Sequence, residues 1–108
     1  MSSSTGPKRA PRASAKATTA AECRSLREIP NIGPAMVRDF EALGIHEPTQ
    51  LTGADAYALY RRICILSGKR QDPCVLDTYM AAVDFMNGVP ARPWWTYTAQ
   101  RKRDYPDL

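Results

Sequence analysis

Residues 72–88 constrain the fold more than any other part of this sequence. Asp72 followed by Pro73 favours a helix start, because the carboxylate caps the first turn and proline lacks an N–H that needs a partner. Asn87 and Gly88 are suited to ending the helix. Between these signals, apolar side chains recur at the spacing of a helix that buries one face: Leu76, Tyr79, Met80, Val83 and Met86. The sequence therefore predicts a core helix here.

Two helices are predicted near the amino terminus. A capping box, Thr19 with Glu22, opens a first helix over about residues 20–28. Pro34 suits the first position of a second helix, which is expected to end at Gly44. This second helix has an apolar stripe that consists of Met36, Val37, Phe40 and Leu43.

Two more helices complete the expected set. One is predicted over about residues 54–66, ending at Gly68, with a core face of Ala56, Leu59, Tyr60, Ile63 and Leu66. Residues 89–93 contain two prolines and are expected to be extended. Residues 94–103 are expected to form a short closing helix, and no strand is predicted.

These signals predict an all-α fold, a small helical bundle in one domain. The chain has 108 residues and 44% hydrophobic content, enough for one modest core. Its first residues are rich in Ser, Ala, Pro, Lys and Arg and contain no aromatic residue or leucine, so they cannot offset the entropy of ordering. We therefore expect a disordered basic tail over residues 1–18, a domain over residues 19–103 and a short tail over residues 104–108.

The net charge of +4 belongs to the amino-terminal tail. Residues 1–19 carry +4, residues 20–93 carry −1 and residues 94–108 carry +1. The folded body is therefore expected to be nearly neutral. Any attraction to phosphate must come from local geometry or from the tail.

Residues 29–35, Ile-Pro-Asn-Ile-Gly-Pro-Ala, predict a tight reversal between the first two helices. Asn31 and Gly33 are the residues best able to adopt unusual backbone angles, and Ile32 between them is expected to point into the core. The reversal leaves N–H groups free at the positive end of the second helix, where a phosphate oxygen binds well: those of Gly33, Ala35 and Met36. Such a seat recognises the nucleic-acid backbone and not the bases.

The reversal resembles the helix-hairpin-helix superfamily, whose hairpins follow a pattern like Leu-Pro-Gly-Ile-Gly-Pro-Lys-x-Ala. Residues 24–102 are similar to the small bacterial pathogenicity-locus family of helix-hairpin-helix proteins, through Arg-Ser-Leu-Arg-Glu-Ile-Pro-Asn-Ile-Gly-Pro, Leu-Gly-Ile, Asp-Pro-Cys-Val-Leu-Asp and Pro-Trp-Trp. Residues 29–51 are similar to the carboxy-terminal domain of TfoX-like proteins. Together these resemblances imply an all-helical fold and a DNA-binding role.

We expect sequence-independent DNA binding without catalysis. Asn31 stands where the superfamily has its first glycine, and Ala35 stands where it often has lysine, so Arg38 is expected to supply a cation. The residues expected to bind nucleic acid are Asn31, Ile32, Gly33, Pro34, Ala35, Met36, Arg38, Lys69 and Arg70. The alternative is a protein-interaction module in which the hairpin face, or Trp94 and Trp95, docks a partner protein.

Two further segments carry alternative interpretations. Lys69 and Arg70 precede a helix start, so they form either a second phosphate clamp or a solvated turn. A cluster near the carboxy terminus either stacks on single-stranded bases or covers the helical core with its aromatic rings. It contains Trp94, Trp95, Tyr97, Arg101, Lys102 and Arg103.

No catalytic residue, metal or cofactor is predicted. Asp55 lies downstream of the hairpin, where some base-excision glycosylases carry a catalytic carboxylate, but the chain is too short for a base-flipping pocket. Cys74 is either a thiol activated by a helix start or a small half-buried residue. His46, Cys23 and Cys64 show no metal-binding spacing.

The sequence is typical of a cytoplasmic protein. No apolar run approaches the roughly 20 residues that cross a bilayer, so no membrane association is expected. The amino terminus lacks the apolar segment of a secretory signal, and three widely spaced cysteines do not suggest a disulfide framework.

Overall fold

A computed structural model describes residues 16–108, and the regular structure in that range is entirely helical. Within this range four α-helices follow one another, namely α1 at Pro34–Ala42, α2 at Ala56–Ser67, α3 at Pro73–Met86 and α4 at Thr98–Asp104. Residues 16–108 also contain four 3-10 helices, at Ala20–Glu22, Leu26–Glu28, Pro48–Leu51 and Trp94–Tyr97. The predicted all-α, single-domain fold is confirmed.

Helix α3 lies at the centre of the core. It begins as predicted, with Pro73 in its first position and Asp72 accepting a hydrogen bond from the N–H of Cys74 at 2.9 Å. α2 and the Trp94–Tyr97 3-10 helix both pack against it. The ring of Tyr79 stacks on that of Phe40 with centroids 5.0 Å apart, which joins α3 to α1. Complete burial of a phenylalanine side chain such as that of Phe40 stabilises the fold by about 1.5–3 kcal/mol.

The first predicted helix, residues 20–28, is wrong. Two 3-10 helices stand in its place, because Ser25 between them has extended backbone angles. Thr19 makes no side-chain cap, and the carboxylate of Glu22 instead accepts a hydrogen bond from the N–H of Thr18 at 3.2 Å. Glu28 repeats this arrangement with the N–H of Arg24 at 2.7 Å. Each glutamate thus stabilises its own single turn.

The expected core face of α2 is wrong at its last turn. Leu59, Tyr60 and Ile63 are buried, but Leu66 is 58% exposed. Gly68 ends α2 in the left-handed conformation at φ 73°, and the chain then returns past Cys64, whose sulfur accepts a hydrogen bond from the N–H of Gln71. The returning loop therefore covers the Cys64 side of the last turn and leaves the Leu66 side open.

Both ends of the described range contact the body. The N–H of Ala17 donates to the carbonyl of Glu28 at 2.8 Å, although the sequence places Ala17 in the basic tail. The ring of Tyr105, in the expected carboxy-terminal tail, stacks on Tyr57 with centroids 4.3 Å apart. The disorder expected for residues 1–15 concerns a segment outside the described residues. Between residues 16 and 108, no helix is long and apolar enough to cross a membrane.

Candidate nucleic-acid interface

The turn of residues 29–33 reverses the chain just before α1. Asn31 adopts a left-handed conformation at φ 74°, as predicted, and the N–H of Ile32 closes the turn by donating to the carbonyl of Ile29 at 3.1 Å. Asparagine tolerates this region better than most residues. Unusual backbone angles were also expected at Gly33, but this residue is extended at φ −101° and ψ −176°. The following Pro34 favours that extended conformation, which any residue adopts.

Helix α1 starts without a side-chain cap. Gly33 occupies the capping position, and the first turn holds no acidic residue. The N–H of Val37 donates to the carbonyl of Gly33 at 3.0 Å, which begins the helical hydrogen bonds. Three N–H groups precede Val37 at the helix start, and within residues 16–108 they have no hydrogen-bond acceptor. They belong to Gly33, Ala35 and Met36. They lie at the positive end of the helix, where an anion is stabilised.

The starts of α2 and α3 are already occupied by carboxylates. Asp55 accepts hydrogen bonds from the N–H groups of Tyr57 and Ala58, at 3.0 and 3.2 Å. Asp72 caps α3, and the hydrogen bond from Cys74 lowers the pKa of its carboxyl group. Both aspartates therefore satisfy donors and place negative charge where a phosphate would have to bind.

The cations expected to assist the turn are exposed. Arg38 lies on α1, one turn beyond the free N–H groups, and Pro34 and Ala35 beside them are also exposed. Lys69 and Arg70 lie in the loop between α2 and α3, next to the helix start that Asp72 occupies. No hydrogen bond or ion pair in the described part of the chain joins these two cations to the turn of residues 29–33.

Ile32 was expected among the residues that bind nucleic acid, and its side chain cannot do so. It is 1% exposed and belongs to the core, where the sequence had also placed it. Its carbonyl accepts a hydrogen bond from Nζ of Lys16 at 2.6 Å, and the same ammonium donates to the carbonyl of Arg27 at 2.7 Å. Burial lowers the pKa of Lys16. Lys16 therefore places a cation at the back of the turn, a contact that the sequence does not reveal.

The side chain of Asn31 connects the turn to a distant segment. Its Nδ2 donates to the carbonyl of Arg92 at 2.9 Å, and its Oδ1 accepts from the N–H of Trp94 at 3.3 Å. These bonds bring Arg92 and Trp95 beside the turn, although about 60 residues separate the segments. Sequence reasoning missed Arg92, whose only local signal is its position between two prolines.

The carboxy-terminal aromatic and basic cluster has several separate roles. Tyr97 is buried and Trp94 is half-buried, whereas Trp95 is 62% exposed, so the expectation that both tryptophans cover the core is wrong for Trp95. Arg101 is not available to phosphate, because its Nε donates to the buried carboxylate of Asp77 at 2.8 Å. The hydroxyl of Thr98 donates to the other oxygen of Asp77 at 2.7 Å. Within the cluster, Lys102 and Arg103 remain exposed.

The remaining chemical candidates have structural roles. Burial raises the pKa of the Cys74 thiol, and the nearby Asp72 carboxylate raises it further, which favours the interpretation of a small half-buried residue. Asp55 is the cap of α2. Among residues 16–108, no group of three His, Cys, Asp or Glu side chains is placed to hold a metal ion.

Comparison with known proteins connects this chain to one family. A sequence model of the pathogenicity locus family matches residues 19–103. The mitomycin resistance protein McrB of Streptomyces lavendulae is 47% identical over 85 residues, which are 79% of this chain and 81% of that protein. No solved structure matches the chain.

Proposed function

This chain belongs to the pathogenicity locus family, and we propose that it binds the phosphate backbone of DNA, without catalysis, through a helix-hairpin-helix type of turn before α1. The uncapped start of α1 is the observation that supports this proposal. Three N–H groups there lack an acceptor within residues 16–108, whereas α2 and α3 are capped by carboxylates. Backbone N–H groups recognise phosphate and carry no information about base sequence.

The charge distribution indicates modest affinity. The folded body is nearly neutral, and Ala35 offers no ammonium to a phosphate at the turn. Arg38, Lys69 and Arg70 are exposed and supply long-range attraction, while the basic residues near the amino terminus raise the rate of encounter. Binding is therefore expected to be weak and to depend on salt.

Gly33 offers a sharp test, because its position accepts a side chain. Its backbone angles are ordinary, and an added Cβ meets no atom within 4 Å. Gly33→Glu places a negative charge at the proposed seat, and Gly33→Gln adds a side chain of the same shape without charge. Titration of labelled single- and double-stranded DNA at low salt should show much weaker binding by Gly33→Glu than by Gly33→Gln. Equal binding by wild type and both variants rejects the turn as the site.

The exposed ring of Trp95 favours a second candidate function, docking of a partner protein on the hairpin face or on Trp94 and Trp95. Exposed tryptophans are frequent anchors of protein interfaces. A pull-down after nuclease treatment distinguishes protein docking from nucleic-acid binding. A partner retained by the wild type and lost by Trp95→Ala supports protein docking, whereas loss of all partners with the nucleic acid supports the primary proposal.

The similarity to a protein named for mitomycin resistance adds a cellular test. We propose that this chain also contributes to resistance to mitomycin, because the similarity covers most of both proteins. Survival of a mitomycin-sensitive bacterium that expresses the chain should rise in the presence of the drug. Gly33→Glu should lose this protection, and Gly33→Gln should keep it, if the same turn is responsible.

A further inference from the structure

A groove lies beside the turn of residues 29–33, between that turn and the chain that leads into the Trp94–Tyr97 3-10 helix. Its volume is about 260 Å³. Its lining is mostly apolar and consists of Pro30, Asn31, Ala91, Arg92, Pro93 and Trp95. Asn31 fixes the two walls relative to each other through its hydrogen bonds to Arg92 and Trp94. The shape of the groove is therefore set by contacts within the folded domain.

The ring of Trp95 is exposed on this groove and packs against one neighbouring ring. It is 62% exposed, and it packs edge-on against Trp94 with centroids 5.8 Å apart and an interplanar angle of 85°. The backbone N–H of Trp94 is in turn bound to Asn31. A flat ring that is largely uncovered is suited to stacking on another flat ring.

The charge at the groove is positive. Arg92 is its one charged residue, and the guanidinium carbon lies 4.7 Å from the centre of the Tyr97 ring. In the described range the only ion pair joins Arg101 to Asp77, so no carboxylate there lies within 4.0 Å of the Arg92 guanidinium nitrogens. A cation beside an apolar stacking surface complements a nucleotide, whose base is flat and whose phosphate is negative.

We propose that this groove holds one unpaired base of a single-stranded nucleic acid, stacked on Trp95, with Arg92 beside the adjoining phosphate. The groove has a volume of about 260 Å³, whereas pockets for drug-sized ligands have volumes of roughly 300–1,000 Å³. This smaller volume suits a single base. Bases in a duplex are stacked on each other and cannot enter. This inference rests on the proposed backbone binding and adds to it a preference for single strands.

The test compares a short thymidine oligonucleotide with one of the same length whose central positions lack bases. Both present the same phosphates, so only stacking distinguishes them. The wild type should bind the thymidine oligonucleotide about 5- to 150-fold more tightly, the range of one stacked base. Trp95→Leu should bind the two equally, while Trp95→Phe should keep part of the preference because it keeps a ring. Circular dichroism checks that both variants are folded.

The outcomes separate this inference from the function on which it rests. Equal binding of both oligonucleotides by the wild type, combined with loss of binding in Gly33→Glu, overturns base stacking and keeps backbone binding. A preference for thymidine that survives in Trp95→Leu also overturns the inference. Tryptophan fluorescence, to which Trp94 and Trp95 both contribute, that stays unchanged at saturating thymidine oligonucleotide overturns the inference as well. Absence of any nucleic-acid binding by the wild type rejects the proposed function itself.

Discussion

Asn31 and Trp94, 63 residues apart, are joined by a hydrogen bond from the backbone N–H of Trp94 to Oδ1 of Asn31 at 3.3 Å. Asn31 also holds the left-handed angle of the turn, so one residue sets both the shape of the turn and the position of the neighbouring groove. Asparagine rather than glycine at this left-handed position thus has a structural reason here. Glycine at this position offers no side chain to bind Arg92 and Trp94.

The two roles of Asn31 are separable by substitution. Asn31→Ala loses both side-chain hydrogen bonds and keeps a Cβ in the left-handed region, so we expect it to lower the free energy of unfolding by about 1–3 kcal/mol. Asn31→Gly loses the same bonds but relieves the backbone strain, so its loss should be smaller. Urea unfolding followed by circular dichroism measures both. If both variants lose the same unfolding free energy, a side chain at position 31 carries no energetic cost in the left-handed conformation.

The ion pair of Asp77 and Arg101 is expected to be strongly coupled. Asp77 is fully buried and accepts hydrogen bonds from Arg101 and Thr98, so Asp77→Ala leaves a guanidinium without its partner. We expect that variant to lose about 3–5 kcal/mol of unfolding free energy. The double variant Asp77→Leu with Arg101→Met should lose less than Asp77→Ala alone.

Lys102 provides the control for this prediction, because it is the neighbouring cation on α4 and is exposed. Lys102→Ala should change the unfolding free energy by no more than about 0.5 kcal/mol. If Asp77→Ala were as mild as Lys102→Ala, the pair would not be a buried structural contact.

Much of the fold could be predicted because its signals are local. Asp72 with Pro73, and Gly68, mark helix ends through their own backbone preferences, and the structure follows them. The first predicted helix failed because Ser25 is extended, and Glu22 and Glu28 each stabilise a separate turn on either side of that break. The prediction that Leu66 lies on the core face failed because helical periodicity does not show where a returning loop will pack.

The candidate site was predictable only in part. The seven consecutive residues 29–35 are enough to predict both the turn at Asn31 and a helix start with N–H groups directed at solvent. Arg92, Trp95 and Lys16 reach the same region through contacts between distant parts of the chain, for which the sequence carries no periodic or local signal. The burial of Arg101 was equally hidden, because its partner Asp77 lies on another helix.

Cys74 should react slowly with alkylating reagents in the native protein. Burial, with a further contribution from Asp72, raises the pKa of this thiol, so less thiolate is present near pH 8 than in a free cysteine. Peptide-resolved mass spectrometry after iodoacetamide treatment should show slower labelling of Cys74 in the native state than in urea, with the native rate rising as pH increases. Native labelling at or above the unfolded rate contradicts this assignment.

The amino-terminal cations should affect salt dependence more than the fold. Deletion of residues 1–15 removes Lys8, Arg9 and Arg12, so the slope of log K against log salt for DNA binding should fall by about two to three units. The melting temperature should barely change. Deletion of residues 1–18 also removes Lys16 and its hydrogen bonds to the turn, so it should lower the melting temperature. An unchanged slope in the shorter deletion shows that these cations do not contribute to binding.

Backbone binding at the start of α1 is the central claim, and amide chemical shifts observe it directly. A 15N-labelled protein titrated with a short DNA oligonucleotide at low salt should show its largest shifts at the N–H groups of Gly33, Ala35 and Met36. The same titration of Gly33→Gln should keep the shifts at Ala35 and Met36, and that of Gly33→Glu should abolish them. Large shifts confined to the loop of Lys69 and Arg70 or to α4, with Ala35 and Met36 unchanged, would contradict the account.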